Sequence, residues 1–298
     1  MKINSLHPKY VFFGSPEFAK IVLEELVAGG LIPHALVCNP DKPAGRKKEL
    51  TSPATKQYIR ISGLRVPVLQ PHSPSDAKHE LAALKPDLFI VAAYAKIIPE
   101  DVLMIPNLGA IGVHPSLLPK HRGASPVQTS ILEGDTTTGV SLFLMDEKVD
   151  HGPVLAEESC PIDDLSFKDL LIRLAHLGGK LGAKNIPLFS AGKSRPIPQK
   201  HENATFTSKF TSEDGFVDPE DLAEALSGKN SELALEISRK IRALGEEPGV
   251  WTWGSALASF TSKPSPEKRV KLFSANVDTG RLILTLIQVE GKNPTTLR

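Results

Sequence analysis

The sequence predicts a doubly wound α/β domain followed by a smaller domain that starts with a helix and ends in strands. Two observations lead there. Over the first ~190 residues, short and near-continuously apolar runs alternate with helix-spaced stretches, as expected when both faces of a mostly parallel sheet are covered. At 190–209 the composition then changes to a Pro/Ser/Lys-rich stretch, SAGKSRPIPQKHENATFTSK, which reads as a linker.

The elements follow in order. Residues 10–13 (YVFF) form a first strand that ends at Gly14. Residues 17–28 carry Phe18, Ile21, Val22 and Leu26 at helical spacing, with Glu24 and Glu25 among the polar positions. Further strands are expected at 35–38 (ALVC), 66–69 (VPVL), 87–93 (DLFIVAA), 109–113 (GAIGV) and 139–145 (GVSLFLM). Residues 166–189 read as a long closing helix with Leu170, Leu171, Leu174, Leu177 and Leu181 on one stripe. These elements make a first domain of residues 1–189, a linker at 190–208 and a second domain at 209–298. The second domain has a helical stretch at roughly 219–244 and β-like runs at 269–274 (RVKLFS) and 281–289 (RLILTLIQV). There is no internal repeat.

Composition excludes several classes. Of 298 residues, 41% are hydrophobic and 23% charged, which fits a soluble globular protein. No apolar run reaches the ~18 residues of a membrane span. The start, MKINSLHPKYVFFG, lacks the apolar core of a signal peptide. Cys38 and Cys160 are the only cysteines, too few for a disulfide framework or a cysteine-rich metal site, and they fit a reducing cytoplasm. The net charge of +1 does not by itself point to nucleic acid. The charge is uneven, however. Residues 263–298 hold seven Lys/Arg against three Asp/Glu, and GRKK at 45–48 is a second basic cluster. Such clusters alone are as readily solvated surface.

Gly14-Ser15-Pro16-Glu17-Phe18 lies at the first strand-to-helix turn, where open α/β sheets bind ligands, but it is not GxGxxG and supports no dinucleotide. The segment HPSLLPKHRG at 114–123 begins at the carboxyl end of the fifth strand, so His114 is placed to face the ligand crevice. Its two prolines make a stiff loop. Alone, His114 would pass for a structural histidine. MDEKVDHGPVL at 145–155, after the sixth strand, offers Asp146, Glu147 and Asp150, with a Gly-Pro that turns the chain into another strand. A carboxylate beside a histidine is an acid/base arrangement. No metal-ligand spacing stands out.

With these segments quoted, the chain resembles the folate-dependent formyltransferases, and among them the methionyl-tRNA formyltransferases, nearly end to end. The matching stretches are FFGSPEFA (12–19), NPDKPAGRKK (39–48), AAYAKIIP (92–99), HPSLLPKHRGASPVQ (114–128), TGVSLFLMDEKVDHGPVL (138–155) and QVEGK (288–292). The resemblance implies a Rossmann-like formyltransferase domain and an OB-like β-barrel that lies along the tRNA. It implies transfer of a formyl group from 10-formyltetrahydrofolate, without a metal, to the amino group of methionyl initiator tRNA. The enzyme is expected to be a cytoplasmic monomer. His114 and Asp150 would be catalytic. Ser116, Leu117, Leu118 and Pro119 would line the folate site, and the stretch with Tyr94, Ala95 and Ile97 would hold the pterin. Arg46, Lys47 and Lys48 would reach the acceptor stem.

The sequence departs from the pattern at one catalytic position. The family places asparagine two residues before the histidine, and here that position is Gly112. Residues two apart on a strand share a face, so the missing amide would have pointed at the reacting group. Loss of one oxyanion donor is typically worth roughly 10²- to 10³-fold in rate. Ala95 stands where the family has glycine, His151 where it has threonine, and the C-terminal β region is short. Residues 201–298 hold 12 Lys/Arg and 14 Asp/Glu, so only the end of that domain is basic. Two alternatives follow. One is a formyltransferase for a small amine such as a sugar nucleotide or glycinamide ribonucleotide, which the basic loop and second domain argue against. The other is a low-activity member that holds folate or tRNA, which Gly112 favours.

Overall fold

The computed structural model describes residues 7–44, 48–257 and 265–297. In chain order the elements are β1 (Tyr10–Phe13), α1 (Glu17–Ala28), β2 (Ala35–Val37), β3 (Lys42–Ala44), β4 (Glu49–Thr51), α2 (Ala54–Ile61), β5 (Val68–Leu69), α3 (Lys78–Ala83), β6 (Leu88–Val91), α4 (Glu100–Leu103) and β7 (Ala110–His114). They continue with β8 (Arg122–Gly123), α5 (Pro126–Leu132), β9 (Thr137–Leu144), β10 (Val154–Pro161), α6 (Phe167–Ser190), β11 (Phe206–Thr207), α7 (Pro219–Ser227), α8 (Ser231–Leu244) and β12 (Val250–Trp253). β13 (Arg269–Asp278), β14 (Arg281–Val289) and β15 (Thr295–Thr296) close the chain. No helix among the described residues is long and apolar enough to cross a membrane.

The chain divides into two compact units. The first comprises the chain up to Gly123, Thr137–Pro161 and Leu171–Phe206, and the second comprises Ala124–Thr136, Ile162–Leu170 and the chain from Thr207. The first unit is built on a seven-stranded sheet of order β10-β9-β7-β6-β1-β2-β5. β5, β2, β1, β6 and β7 run parallel, while β9 is antiparallel to β7 and β10 to β9. Every residue of β1 and β6 is buried, which accounts for their unbroken apolar runs.

The strand order reverses between β1 and β6, so the crevice beyond their carboxyl ends is the place for a ligand. Gly14 sits there because of close packing. A Cβ on it would lie 2.6 Å from both the Ala92 carbonyl oxygen and the Ala19 Cβ. The Thr55 hydroxyl donates to the Gly14 carbonyl at 2.8 Å.

The leucine stripe lies on the buried side of α6: Leu170, Leu174 and Leu181 are buried and Leu171 and Leu177 partly so, while Gly178, Gly179 and Gly182 carry the closest contacts. A Cβ on Gly178 would lie 2.8 Å from Val113 Cγ1 and 3.0 Å from Val140 Cγ2, so this turn of the helix lies directly on β7 and β9. The stretch that composition reads as a linker is built into the first unit as far as Phe206. Ile197 and Val154 exchange backbone hydrogen bonds of 2.7 and 2.8 Å, and β11 pairs with β8.

The second unit contains α5, α7, α8 and the antiparallel sheet β12-β13-β14-β15. The expected single helical stretch is two helices. Gly228, at φ 78°, ends α7 in the left-handed conformation that glycine adopts without strain, and the Asn230 side chain then accepts from Leu233 N to start α8. Among the described residues no ladder joins β12 to β15, so the strand order is open. Trp251 and Trp253 meet edge-on at 5.4 Å, with the Arg269 guanidinium 4.2 Å from the Trp251 ring centre.

Candidate active site

β7 is buried along its length and delivers His114 at its carboxyl end. The residue as a whole is 6% exposed. Its Nε2 lies 2.9 Å from the His121 carbonyl oxygen. A carbonyl only accepts, so Nε2 carries a proton, and in the neutral ring Nδ1 bears the free lone pair. Nδ1 faces Asp150 Oδ2 at 3.5 Å. The two groups thus form a loosely spaced pair.

Asp150 is held both at its carboxylate and at its backbone. Its Oδ2 accepts from the Gly123 N–H at 2.8 Å. Its φ of 47° is left-handed, a conformation aspartate tolerates better than most residues. The Gln199 amide donates to the carbonyls of Asp150 (2.9 Å) and Gly152 (2.7 Å), which pins the turn. The buried Arg122 guanidinium in turn donates to Gln199 Oε1 at 2.6 Å and lies 2.9 Å from His201 Nδ1. His201 stacks on His151 with ring centres 4.1 Å apart. His151 bonds Asp146 at 2.7 Å, so that carboxylate is occupied away from His114. Burial, and then the neighbouring His151 and Arg122, push the His201 imidazole below its ordinary range.

The Ser116–Pro119 loop packs beside His114. Ser141, opposite His114 across the β7–β9 ladder, fastens it: its hydroxyl accepts from Leu118 N–H at 3.0 Å and lies 2.7 Å from the Ser116 carbonyl. Ser116 donates to the Lys120 carbonyl at 2.6 Å. Leu117 Cδ2 lies against Gly139, and Leu118–Pro119 is a cis peptide.

Other expected residues are placed differently. Tyr94 follows β6, but its ring is buried in the core, edge-on to Phe13 at 5.4 Å, and burial pushes its phenol up to about 12. Ala95 is exposed at φ 61°, and Ile97 is 90% exposed. Lys48 is exposed in the β3–β4 hairpin at φ 51°, while Arg46 and Lys47 lie outside the described residues. The base of that hairpin is anchored by Asp41, which hydrogen bonds from Gln70, then Lys56 and Ser52, hold down to about 2.

Gly112 pairs with Phe143 across the ladder, and the Phe143 ring fills the space a side chain at 112 would need. Sequence reasoning missed Gln199, Arg122, Ser141 and Phe143. The first lies 49 residues from its Asp150 partner and carries no local signal.

A doubly wound α/β fold with a buried histidine and a carboxylate side by side beyond its strand ends has the layout of an enzyme that binds its ligand in that crevice. The chain belongs to the formyl transferase family, whose model matches residues 8–184. It is 40% identical over 304 residues to the methionyl-tRNA formyltransferase of Roseiflexus sp. (strain RS-1), covering 96% of this chain and 89% of that one. It is 38% identical over 246 residues to the enzyme of the same name from Halorhodospira halophila, covering 81% and 74%. A solved structure of the N-formyltransferase from Helicobacter canadensis, in complex with folinic acid and dTDP-3-aminofucose, shares the fold. Its TM-score is 0.61 at 17% identity, covering 91% of this chain and 88% of that one.

Proposed function

We propose that this chain transfers a formyl group from 10-formyltetrahydrofolate to the amino group of methionyl initiator tRNA, the step that prepares it for translation initiation. The observation that carries the chemistry is the hydrogen bond from His114 Nε2 to the His121 carbonyl, which aims Nδ1 at the space beside Asp150. The acceptor is supported by relatives that carry this activity in their names and align over most of their length. A folate as donor is supported by family membership and by the folinic acid in the Helicobacter canadensis structure.

The folate supplies an activated formyl carbon. His114 Nδ1 takes the proton that the amine releases as its nitrogen bonds to that carbon, and returns it to the folate nitrogen as the old C–N bond breaks. Asp150 stands opposite the positive charge that arrives on the imidazole. Ser116, Leu117, Leu118 and Pro119 form a stiff wall beside His114, and their fastening by Ser141 suits them to hold a flat ligand. Ala95 and Ile97, exposed after β6, hold the pterin in this reading, and Tyr94 between β6 and them is buried. Arg46, Lys47 and Lys48 make phosphate contacts, which position the tRNA without reading sequence.

The test is formyl transfer by the purified chain from 10-formyltetrahydrofolate to methionyl-tRNA and, separately, to an amino sugar nucleotide. Formylmethionyl-tRNA as the dominant product is expected. A preference for the sugar nucleotide would overturn the acceptor, and product with neither would overturn the activity.

A further inference from the structure

We propose that Phe143 is a positioning residue for His114, and that Gly112 and Phe143 form a size-matched pair that makes this possible. The inference rests on the reading that His114 is the base. In the antiparallel ladder Gly112 faces Phe143 and His114 faces Ser141. Strand alternation therefore puts all four side-chain positions on one face of the sheet. Phe143 is 3% exposed, so its ring has little freedom to swing away. A Cβ on Gly112 would lie 2.6 Å from Phe143 Cζ and closer still to Cε1, a separation real side chains do not tolerate. The phenyl ring occupies the volume of the absent side chain at 112.

That ring meets the His114 imidazole edge-on, with centres 6.5 Å apart and planes at 90°, within the range of favourable aromatic pairs. The contact matters because, among the described residues, the His114 ring makes one hydrogen bond, from Nε2 to the His121 carbonyl. Histidine χ2 is a broad torsion, so an edge contact adds a constraint on the orientation of the ring. Asp150, at 3.5 Å, is too far to fix the ring by a hydrogen bond of its own. Phe143 provides the second constraint, and it fits only because residue 112 has no side chain. The glycine is thus more than a missing amide. It is the space that lets an apolar wall stand beside the base.

The test is a double-mutant cycle on Gly112→Ala and Phe143→Leu, read in three ways: thermal midpoint, the NMR pH titration of the His114 imidazole, and kcat against KM. Gly112→Ala alone should lower the midpoint and alter the His114 titration. Adding Phe143→Leu should restore most of the midpoint, because the smaller side chain makes room. Phe143→Leu alone should lower kcat about tenfold while both KM values stay within about twofold, as expected for a misaligned base. It should also shift the pH–rate profile. A Gly112→Ala protein with unchanged midpoint and unchanged His114 titration would overturn the pairing. A Phe143→Leu protein that loses stability but keeps kcat and the pH profile would overturn the positioning role. The midpoint and the titration need no turnover. A chain that formylates nothing would therefore sink the functional reading while leaving the pair to be judged by those two measurements.

Discussion

Replacing Asp150 with asparagine isolates its charge. Asparagine keeps an oxygen to accept the Gly123 N–H, now at 2.8 Å, and it tolerates the left-handed backbone at φ 47°. The fold should therefore change by less than about 1 kcal/mol. What disappears is the carboxylate 3.5 Å from His114 Nδ1. At that distance a unit charge pair is worth about 1 kcal/mol in a water-like medium and about 5 kcal/mol at the effective dielectric of a protein site. The side chains of His114 and Asp150 are 7% and 18% exposed, so the site lies between these limits. A middle value of about 3 kcal/mol corresponds to a loss of roughly 10²-fold in kcat. Initial rates of formylmethionyl-tRNA formation, with denaturation midpoints for both proteins, give the comparison. A variant that folds normally and turns over within about threefold of the wild type would refute the role of Asp150 as counter-charge.

Three further outcomes are expected. Ala95 is exposed and left-handed, so Ala95→Gly should stabilise the fold by roughly 0.5–1 kcal/mol in urea unfolding, and a loss would show that its side chain packs on something. His201 is held below its ordinary range, so the folded chain binds fewer protons there than the unfolded chain. Its contribution to stability is present above the usual histidine range and lost as the pH falls through it. The drop in thermal midpoint between about pH 7.5 and pH 5.5 should shrink in His201→Gln, and an unchanged drop would place the pH sensitivity elsewhere. Burial pushes the Cys38 thiol up to about 11, so iodoacetamide near pH 8 should spare Cys38 in the native protein and label it only after unfolding. Rapid native labelling would contradict its burial.

The strands were legible because burial on both faces leaves a run such as YVFF or LFIV without alternation. His114 and Asp150 were legible because each follows the end of such a run. The segment at 190–206 was not, since proline and lysine there suggest a free linker while the ordering contacts are long-range. The leucines of α6 mark its buried face, but contact with the sheet is closest where glycines let the backbone approach, and glycines give no such signal in sequence. Phe143 carries no signal of its own within an apolar run, and only the register opposite Gly112 gives it a role.

The proposed function makes His114 the base for formyl transfer to methionyl-tRNA. A single-turnover assay with enzyme in excess over methionyl-tRNA, comparing the wild type with His114→Ala, tests it most directly. Formylmethionyl-tRNA should form with the wild type and at least about 10²-fold more slowly with the variant. Equal rates, or no product from the wild type, would contradict the account.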